Sequence, residues 1–108
     1  MLAYYIALKR GREIGAKWKL VPPGIDVLIT HGPPFGILDK FDGRRIGCRN
    51  LRAEMKRIRP FLHIFGHVHE SYGFYHDSQL GINYFNVAIC DERYRPTRPP
   101  TEILVKLR

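Results

Sequence analysis

Two short apolar runs, each followed by a loop that carries histidine, constrain the fold of this chain more than any other feature. Residues 25–30 (IDVLIT) are rich in β-branched side chains, and residues 62–65 (LHIF) form a second run between a proline two residues upstream and a glycine. Both runs have the length and composition of buried strands. Because a helical pattern lies between them, they predict a β-α-β unit with two parallel strands.

The rest of the chain alternates helical and extended patterns. Residues 12–21 and 48–59 each repeat apolar side chains at steps of three and four, and prolines follow both segments. This spacing predicts two amphipathic helices. Residues 30–36 (THGPPFG) must form a loop because their prolines and glycines continue neither a helix nor a strand. Further strands are predicted over residues 82–89 and 102–107.

Length and composition exclude several classes of protein. With 108 residues, 44% of them apolar, the chain has enough apolar side chains for one small core. No window approaches the roughly 18 consecutive apolar residues of a membrane span. The apolar start MLAYYIAL has its positive charges after it, which argues against a signal peptide. Cys48 and Cys90 lack the spacing of a zinc ribbon or a disulfide framework. We therefore expect an intracellular, cytoplasmic protein with no membrane partner.

The net charge of +8 keeps a basic nucleic-acid binder as an alternative function. The lysines and arginines are nevertheless spread from Lys9 to Arg108 and do not form one patch. This dispersion argues against nucleic acid as the main partner.

Three histidines follow the two predicted parallel strands. His31 comes directly after the first strand, and His67 and His69 follow the second strand beyond Gly66, where we expect a turn. In extended chain, His67 and His69 would face the same side with Cα atoms about 6.6 Å apart. Because parallel strands have their carboxyl ends together, the three imidazoles should converge at the edge where α/β sheets bind ligands. The pattern predicts a metal site, although His-x-His alone also fits two solvated loop histidines.

The other two histidines fit this site less well. His63 lies inside the second predicted strand, and we interpret it as a structural or supporting hydrogen-bonding residue. His76 lies in a turn-like run, and we interpret it as a solvated side chain.

Four segments together resemble the calcineurin-like metallophosphoesterases, most closely the metallophosphoesterase-domain-containing phosphodiesterases. They are KWKLVPPGIDVLITHGPP at 17–34, GCRNL at 47–51, FLHIFGHVHESYG at 61–73 and CDERYRPTRPP at 90–100. The resemblance implies an α/β sandwich with two divalent metal ions, manganese, zinc or iron, at the carboxyl edges of its sheets. It implies a phosphate-ester substrate. It also implies that His31 and His67 serve one metal and His69 the other.

Some members of this family carry glycine in place of the first histidine of Gly-His-x-His and are poor enzymes, whereas this chain keeps His67. The downstream resemblance includes Asn86 and Arg95. We interpret them first as a turn former and a surface charge, with a phosphate-holding role for Arg95 as the functional alternative.

The family's upstream motifs, Asp-x-His, Gly-Asp-x-x-Asp and Gly-Asn-His, do not occur before His31. Residues 1–108 are therefore predicted to be a partial metallophosphoesterase domain, its carboxyl-terminal half, with a β-α-β unit followed by further strands. We expect a fragment or truncated form of a dinuclear metal-dependent phosphodiesterase for phosphate esters such as cyclic nucleotides, with little or no activity alone. The alternative is a non-catalytic metal-binding or interaction module that pairs with a missing amino-terminal half or with itself.

Overall fold

The computed structural model of the protein describes residues 3–6, 12–91 and 93–106, and these residues form two α-helices and seven short strands. In chain order the elements are β1 (Ala3–Ile6), α1 (Arg12–Leu20), β2 (Val27–Thr30), β3 (Lys40–Phe41), β4 (Arg44–Arg45), α2 (Arg49–Ile58), β5 (Leu62–Phe65), a 3₁₀ turn (His69–Ser71), β6 (Gly73–Asp77) and β7 (Ile82–Asn86).

Five of the strands form one mixed sheet in the order β1-β2-β5-β7-β6. The first four in this order run parallel to their neighbours, and β6 pairs antiparallel with β7. The predicted unit β2-α2-β5 is therefore confirmed, with Leu28 opposite His63 in the register. The α/β class is confirmed as well, and the arrangement is that of a partial α/β sandwich.

The core lies between the two helices and one face of this sheet. Trp18 of α1 and Met55 of α2 are buried against Leu28, Phe65 and Tyr84 of the strands. Each large apolar side chain buried in this way contributes about 1.5–3 kcal/mol. No helix in the described residues is long and apolar enough to cross a membrane.

The two helices end and meet as their sequences require. α2 ends at Ile58 and is capped by Arg59, whose φ of 46° is left-handed and whose N–H donates to the Met55 carbonyl. The two helices are in contact at Gly15, where a Cβ atom would lie 3.0 Å from Nδ2 of Asn50. A larger residue at position 15 would require the Asn50 side chain to shift by a few tenths of an ångström.

Two predictions about extended segments were wrong. The strand predicted over residues 102–107 is irregular over 102–106, and residue 107 lies outside the described residues. Residues 101–106 alternate between half-buried and exposed side chains, but no strand in the described part of the chain pairs with them. His76, expected in a turn, lies in the middle of β6. None of the five residues of this edge strand is buried, so its side chains do not alternate between buried and exposed. The strand is defined by the pairing of all five residues with β7.

Candidate metal centre

His31 and His67 lie side by side at the carboxyl edge of the sheet. His31 follows β2 directly, and His67 lies two residues beyond the end of β5. Their ring centroids are 4.6 Å apart, with 43° between the ring planes. The Gly66 N–H donates to the His31 carbonyl at 3.1 Å, which ties the two loops together. The structure therefore brings two of the three predicted ligands together on an exposed surface.

The backbone at His67 differs from the extended chain that was expected. The positive φ of this loop falls on His67, at 69°, and not on Gly66. The Val68 N–H donates to the Gly66 carbonyl at 2.8 Å, so residues 66–68 form a tight turn of the γ type with its central residue in the rare positive-φ form. For a residue with a Cβ atom, this conformation costs on the order of 1–2 kcal/mol. Strain held at an exposed histidine indicates that the surrounding contacts fix its position.

His69, the third predicted ligand, begins the 3₁₀ turn. Its Nδ1 lies 3.0 Å from the carbonyl oxygen of Asp91. Because a carbonyl only accepts, Nδ1 carries a proton, and the neutral ring presents Nε2 as its lone-pair nitrogen. A backbone carbonyl that holds the second ring nitrogen in this way is a common support for ligating histidines. His67 and His69 line the same cavity, so His67 is the residue common to both groupings.

These histidines provide part of the ligand set of a metal centre, but not a complete set. Among residues 12–91 and 93–106, no group of three or more histidine, cysteine, aspartate or glutamate side chains is placed to hold a metal ion. A catalytic zinc site, for comparison, uses three protein ligands. The described residues therefore offer a pair of neighbouring imidazoles and, at Nε2 of His69, one further nitrogen whose ring is held in place.

Asn86, interpreted from the sequence as a turn former, is buried at the end of β7 and also joins backbone groups that are distant in sequence. Its Nδ2 donates to the Val68 carbonyl at 2.9 Å and to the Leu38 carbonyl at 3.2 Å. Its Oδ1 accepts the Ala88 N–H at 3.1 Å. The bond from Oδ1 to the N–H two residues on is the Asx-turn pattern, which agrees with the interpretation as a turn former. The bonds of Nδ2 also fix the residue between His67 and His69. Sequence reasoning missed this role, and the one available signal was an amide at a core-facing position of the strand.

Asp39 organises the long connection between β2 and α2 in a similar way. Its carboxylate is fully buried, accepts the N–H groups of Gly36 at 2.9 Å and Gly47 at 2.8 Å, and pairs with Arg45 at 3.0 Å. A buried carboxylate must be paired or hydrogen-bonded, and Asp39 satisfies this requirement by closing the loop that carries β3 and β4. This residue was also missed, because its partners are up to eight residues away.

His63 lies inside β5, as predicted, and acts as a structural hydrogen-bonding residue. Its Nε2 lies 2.9 Å from Oγ1 of Thr30, whose hydroxyl donates to the Gly32 carbonyl at 2.6 Å. Since that hydroxyl proton is already used, Nε2 must be the donor and Nδ1 the unprotonated nitrogen. Nδ1 is buried without a partner. Burial of the ring lowers the pKa of His63 from 6.5 to about 3. The His63 ring, which contacts the residue just before His31, is therefore neutral.

Arg95 lies on the surface, as first interpreted. Its Nε pairs with Oδ2 of Asp91 at 2.8 Å, and its side chain is 64% exposed. Its backbone N–H, which also donates to Asp91, holds the pKa of that carboxyl group below its usual value. Arg95 therefore stabilises the turn whose carbonyl at Asp91 supports His69.

No protein-family model matches the chain. Individual relatives nevertheless support the resemblance to metallophosphoesterases. The chain is 43% identical to human metallophosphoesterase domain-containing protein 1 over 99 residues, which are 89% of this chain and 30% of that protein. It is 44% identical to a UPF0046 protein of Caenorhabditis elegans over 91 residues, 83% of this chain and 31% of the relative. A second UPF0046 protein of this worm is 44% identical over 87 residues, 79% of this chain and 22% of the relative. The chain is thus homologous to the metallophosphoesterase-domain-containing proteins and spans about 30% of the length of the human relative.

Proposed function

We propose that residues 1–108 are the carboxyl-terminal part of a dinuclear metal-dependent phosphodiesterase domain, which supplies histidine ligands to a site for phosphate esters such as cyclic nucleotides. The observation that carries the proposal is the His31–His67 ring pair, 4.6 Å between centroids, at the carboxyl edge of the sheet. The name of the human relative supports metallophosphoesterase chemistry.

The family resemblance implies how the ligands would divide between two ions. His31 and His67 would hold one divalent ion together, and Nε2 of His69 would serve the second, since its Nδ1 is engaged by Asp91. When bound, such ions lower the pKa of a shared water and neutralise charge on the phosphate. The protein's own contribution is to orient the imidazoles, through the Gly66–His31 bond and the Asn86 tie at Val68.

The same ligand set gives the physical reason to expect an inactive chain. Two divalent ions at a separation of about 4 Å repel each other by roughly 4 kcal/mol even in water, and by more in a protein interior. Neutral imidazoles do not offset this repulsion, and a bridging carboxylate would. Among the described residues, no cluster of three or more histidine, cysteine, aspartate or glutamate side chains could hold a metal ion. We therefore expect one ion to bind and hydrolysis to be negligible.

Metal stoichiometry tests the proposal. The purified chain would be dialysed against manganese, and the retained metal measured for wild type and for the His31→Ala, His67→Ala double variant. We expect about one ion in wild type and none in the double variant. The control is His76→Ala, which removes an imidazole from exposed β6 and should retain the metal.

Two results would contradict the proposal. One is equal metal content in wild type and the double variant while circular dichroism shows both folded. The other is robust manganese-dependent hydrolysis of bis-p-nitrophenyl phosphate by the 108-residue chain, which would disprove the expected inactivity.

A further inference from the structure

Strand β6 (Gly73–Asp77) forms one edge of the five-stranded sheet, and only its inner side is paired. All five of its residues pair with β7, whereas no backbone group of residues 73–76 bonds to any other segment of the described chain. An open edge of this kind can pair with another chain, and proteins usually protect it with lysine, proline or a bulge. The sequence GFYHD contains neither lysine nor proline, and its register with β7 has no bulge.

The distribution of charge along the chain also permits contact at this edge. The net charge is +8, but none of the lysines and arginines lies within residues 60–92. Within the hairpin of β6 and β7, Asp77 is the one acidic residue and His76 the one basic residue. Two copies of the chain can therefore meet at β6 without the repulsion that their net charge would cause at a basic surface.

Aromatic pairs on both faces of the sheet end at β6. On one face, Tyr75 stacks on the buried Tyr84 of β7 with 6.1 Å between ring centroids. On the other face, the rings of Phe74 and Phe85 are 4.9 Å apart. At the edge itself, Tyr75 is 46% and Phe74 54% exposed. A strand added beside β6 would cover both rings, because cross-strand side chains on one face of a sheet lie in contact.

We propose that β6 is the interface of a symmetric dimer, in which β6 of one copy pairs antiparallel with β6 of a second copy about a two-fold axis at Tyr75. This register is self-complementary, as a two-fold interface requires, because both copies use the same patch. It places the two Tyr75 rings opposite each other and Phe74 of each copy opposite His76 of the other. Gly73, which has no side chain, lies opposite Asp77. The two larger sheets then form one continuous sheet.

Sedimentation equilibrium of the full chain, from micromolar to millimolar concentration, tests the dimer. A five-residue strand buries little area, so we expect weak association, with the mass rising from 12.6 kDa toward twice that value as the concentration increases. Tyr75→Lys removes the aromatic pair and places like charges opposite each other, so it should weaken dimerisation by about tenfold. Phe41→Lys makes the same change of charge at a 51% exposed ring of β3 and should leave dimerisation unchanged.

Disulfide cross-linking tests the register. In a chain carrying Cys48→Ser and Cys90→Ser, Tyr75→Cys would place two thiols opposite each other, where the distance between paired Cα atoms suits a disulfide. Oxidation should therefore give a covalent dimer. His76→Cys is the matched control, because in this register its two thiols lie diagonally apart, and the same oxidation should leave it monomeric.

Four results would overturn the dimer. They are a mass of 12.6 kDa at all concentrations, an unchanged dimer in folded Tyr75→Lys, equal cross-linking of the two cysteine variants, and a mass that rises beyond that of a dimer. The last result would indicate head-to-tail pairing of β6 with β1, the opposite edge of the sheet, which produces an open series of copies. If circular dichroism shows that Tyr75→Lys is unfolded, the cross-linking of Tyr75→Cys against His76→Cys decides the question.

Discussion

Acidification should destabilise this fold through a single histidine that lies away from the exposed surface. His63 is completely buried, its Nε2–H is used by Thr30, and its Nδ1 faces no acceptor. A proton added at Nδ1 would be a buried charge without a partner. This is why burial lowers the pKa of His63 to about 3, while the same ring in the unfolded chain titrates near 6.5.

The sign and size of the effect follow from proton linkage. Because the unfolded chain binds the proton and the folded chain does not, the stability contributed by neutral His63 is fully present above pH 6.5 and is lost as the pH falls from 6.5 toward 3. Between pH 7.5 and 5.0 the loss is about 2 kcal/mol at 25 °C. This value is set almost entirely by the unfolded pKa, since the folded pKa lies well below 5.

Urea unfolding measures this loss, and Trp18, the only tryptophan and a buried one, reports the transition by fluorescence. The comparison is between wild type and His63→Gln, whose amide nitrogen can replace Nε2 as the donor to Thr30. We expect the wild-type free energy of unfolding to fall by about 2 kcal/mol more than that of the variant between pH 7.5 and 5.0. His76→Gln is the matched control and should retain the wild-type pH dependence. Identical pH dependence of wild type and His63→Gln would refute the reasoning.

Two further substitutions test the loops around the histidine pair. His67→Gly removes a side chain whose backbone has a φ of 69°, so it should leave the free energy of unfolding unchanged or raise it by up to about 1 kcal/mol. His31 does not have a positive φ, so His31→Gly should lower the free energy of unfolding by about 0.5–1 kcal/mol. If urea unfolding shows that the two glycine variants are equally destabilised, the backbone of His67 is not strained. Asn86→Ala leaves the Val68 carbonyl without its buried donor and should cost about 2–4 kcal/mol, whereas Asn83→Ala, at a half-buried position of the same strand, should cost less than half as much. Comparable losses for the two asparagine variants would show that the Asn86 tie is not the source.

The elements that carry the histidines were predictable because their signals are local. The β-branched run before His31 and the apolar run before His67 each identify a strand over a few residues, and a helical pattern between them requires parallel strands. From that point the meeting of His31 and His67 follows from topology alone. Their metal-binding role remains a prediction.

The contacts that shape the site were not predictable, because they join residues that are distant in sequence. Asn86 reaches carbonyls 18 and 48 residues away, and no local pattern marks such a partner. The left-handed backbone of His67 is likewise set by the bonds around Gly66 and Val68, so a glycine was expected to make the turn that a histidine makes. Strand β6 was missed because pairing, and not burial, defines it.

The separate attachment of the β3–β4 hairpin bears on how such proteins diversify. The hairpin forms its own two-stranded sheet within the connection between β2 and α2, and no strand of the larger sheet pairs with it in the described residues. Insertions or replacements around Phe41 would therefore leave the strand register beneath His31 and His67 intact. The hairpin and the paired strands are thus physically distinct parts of the chain, and evolution or design could exchange the hairpin while keeping the strand register.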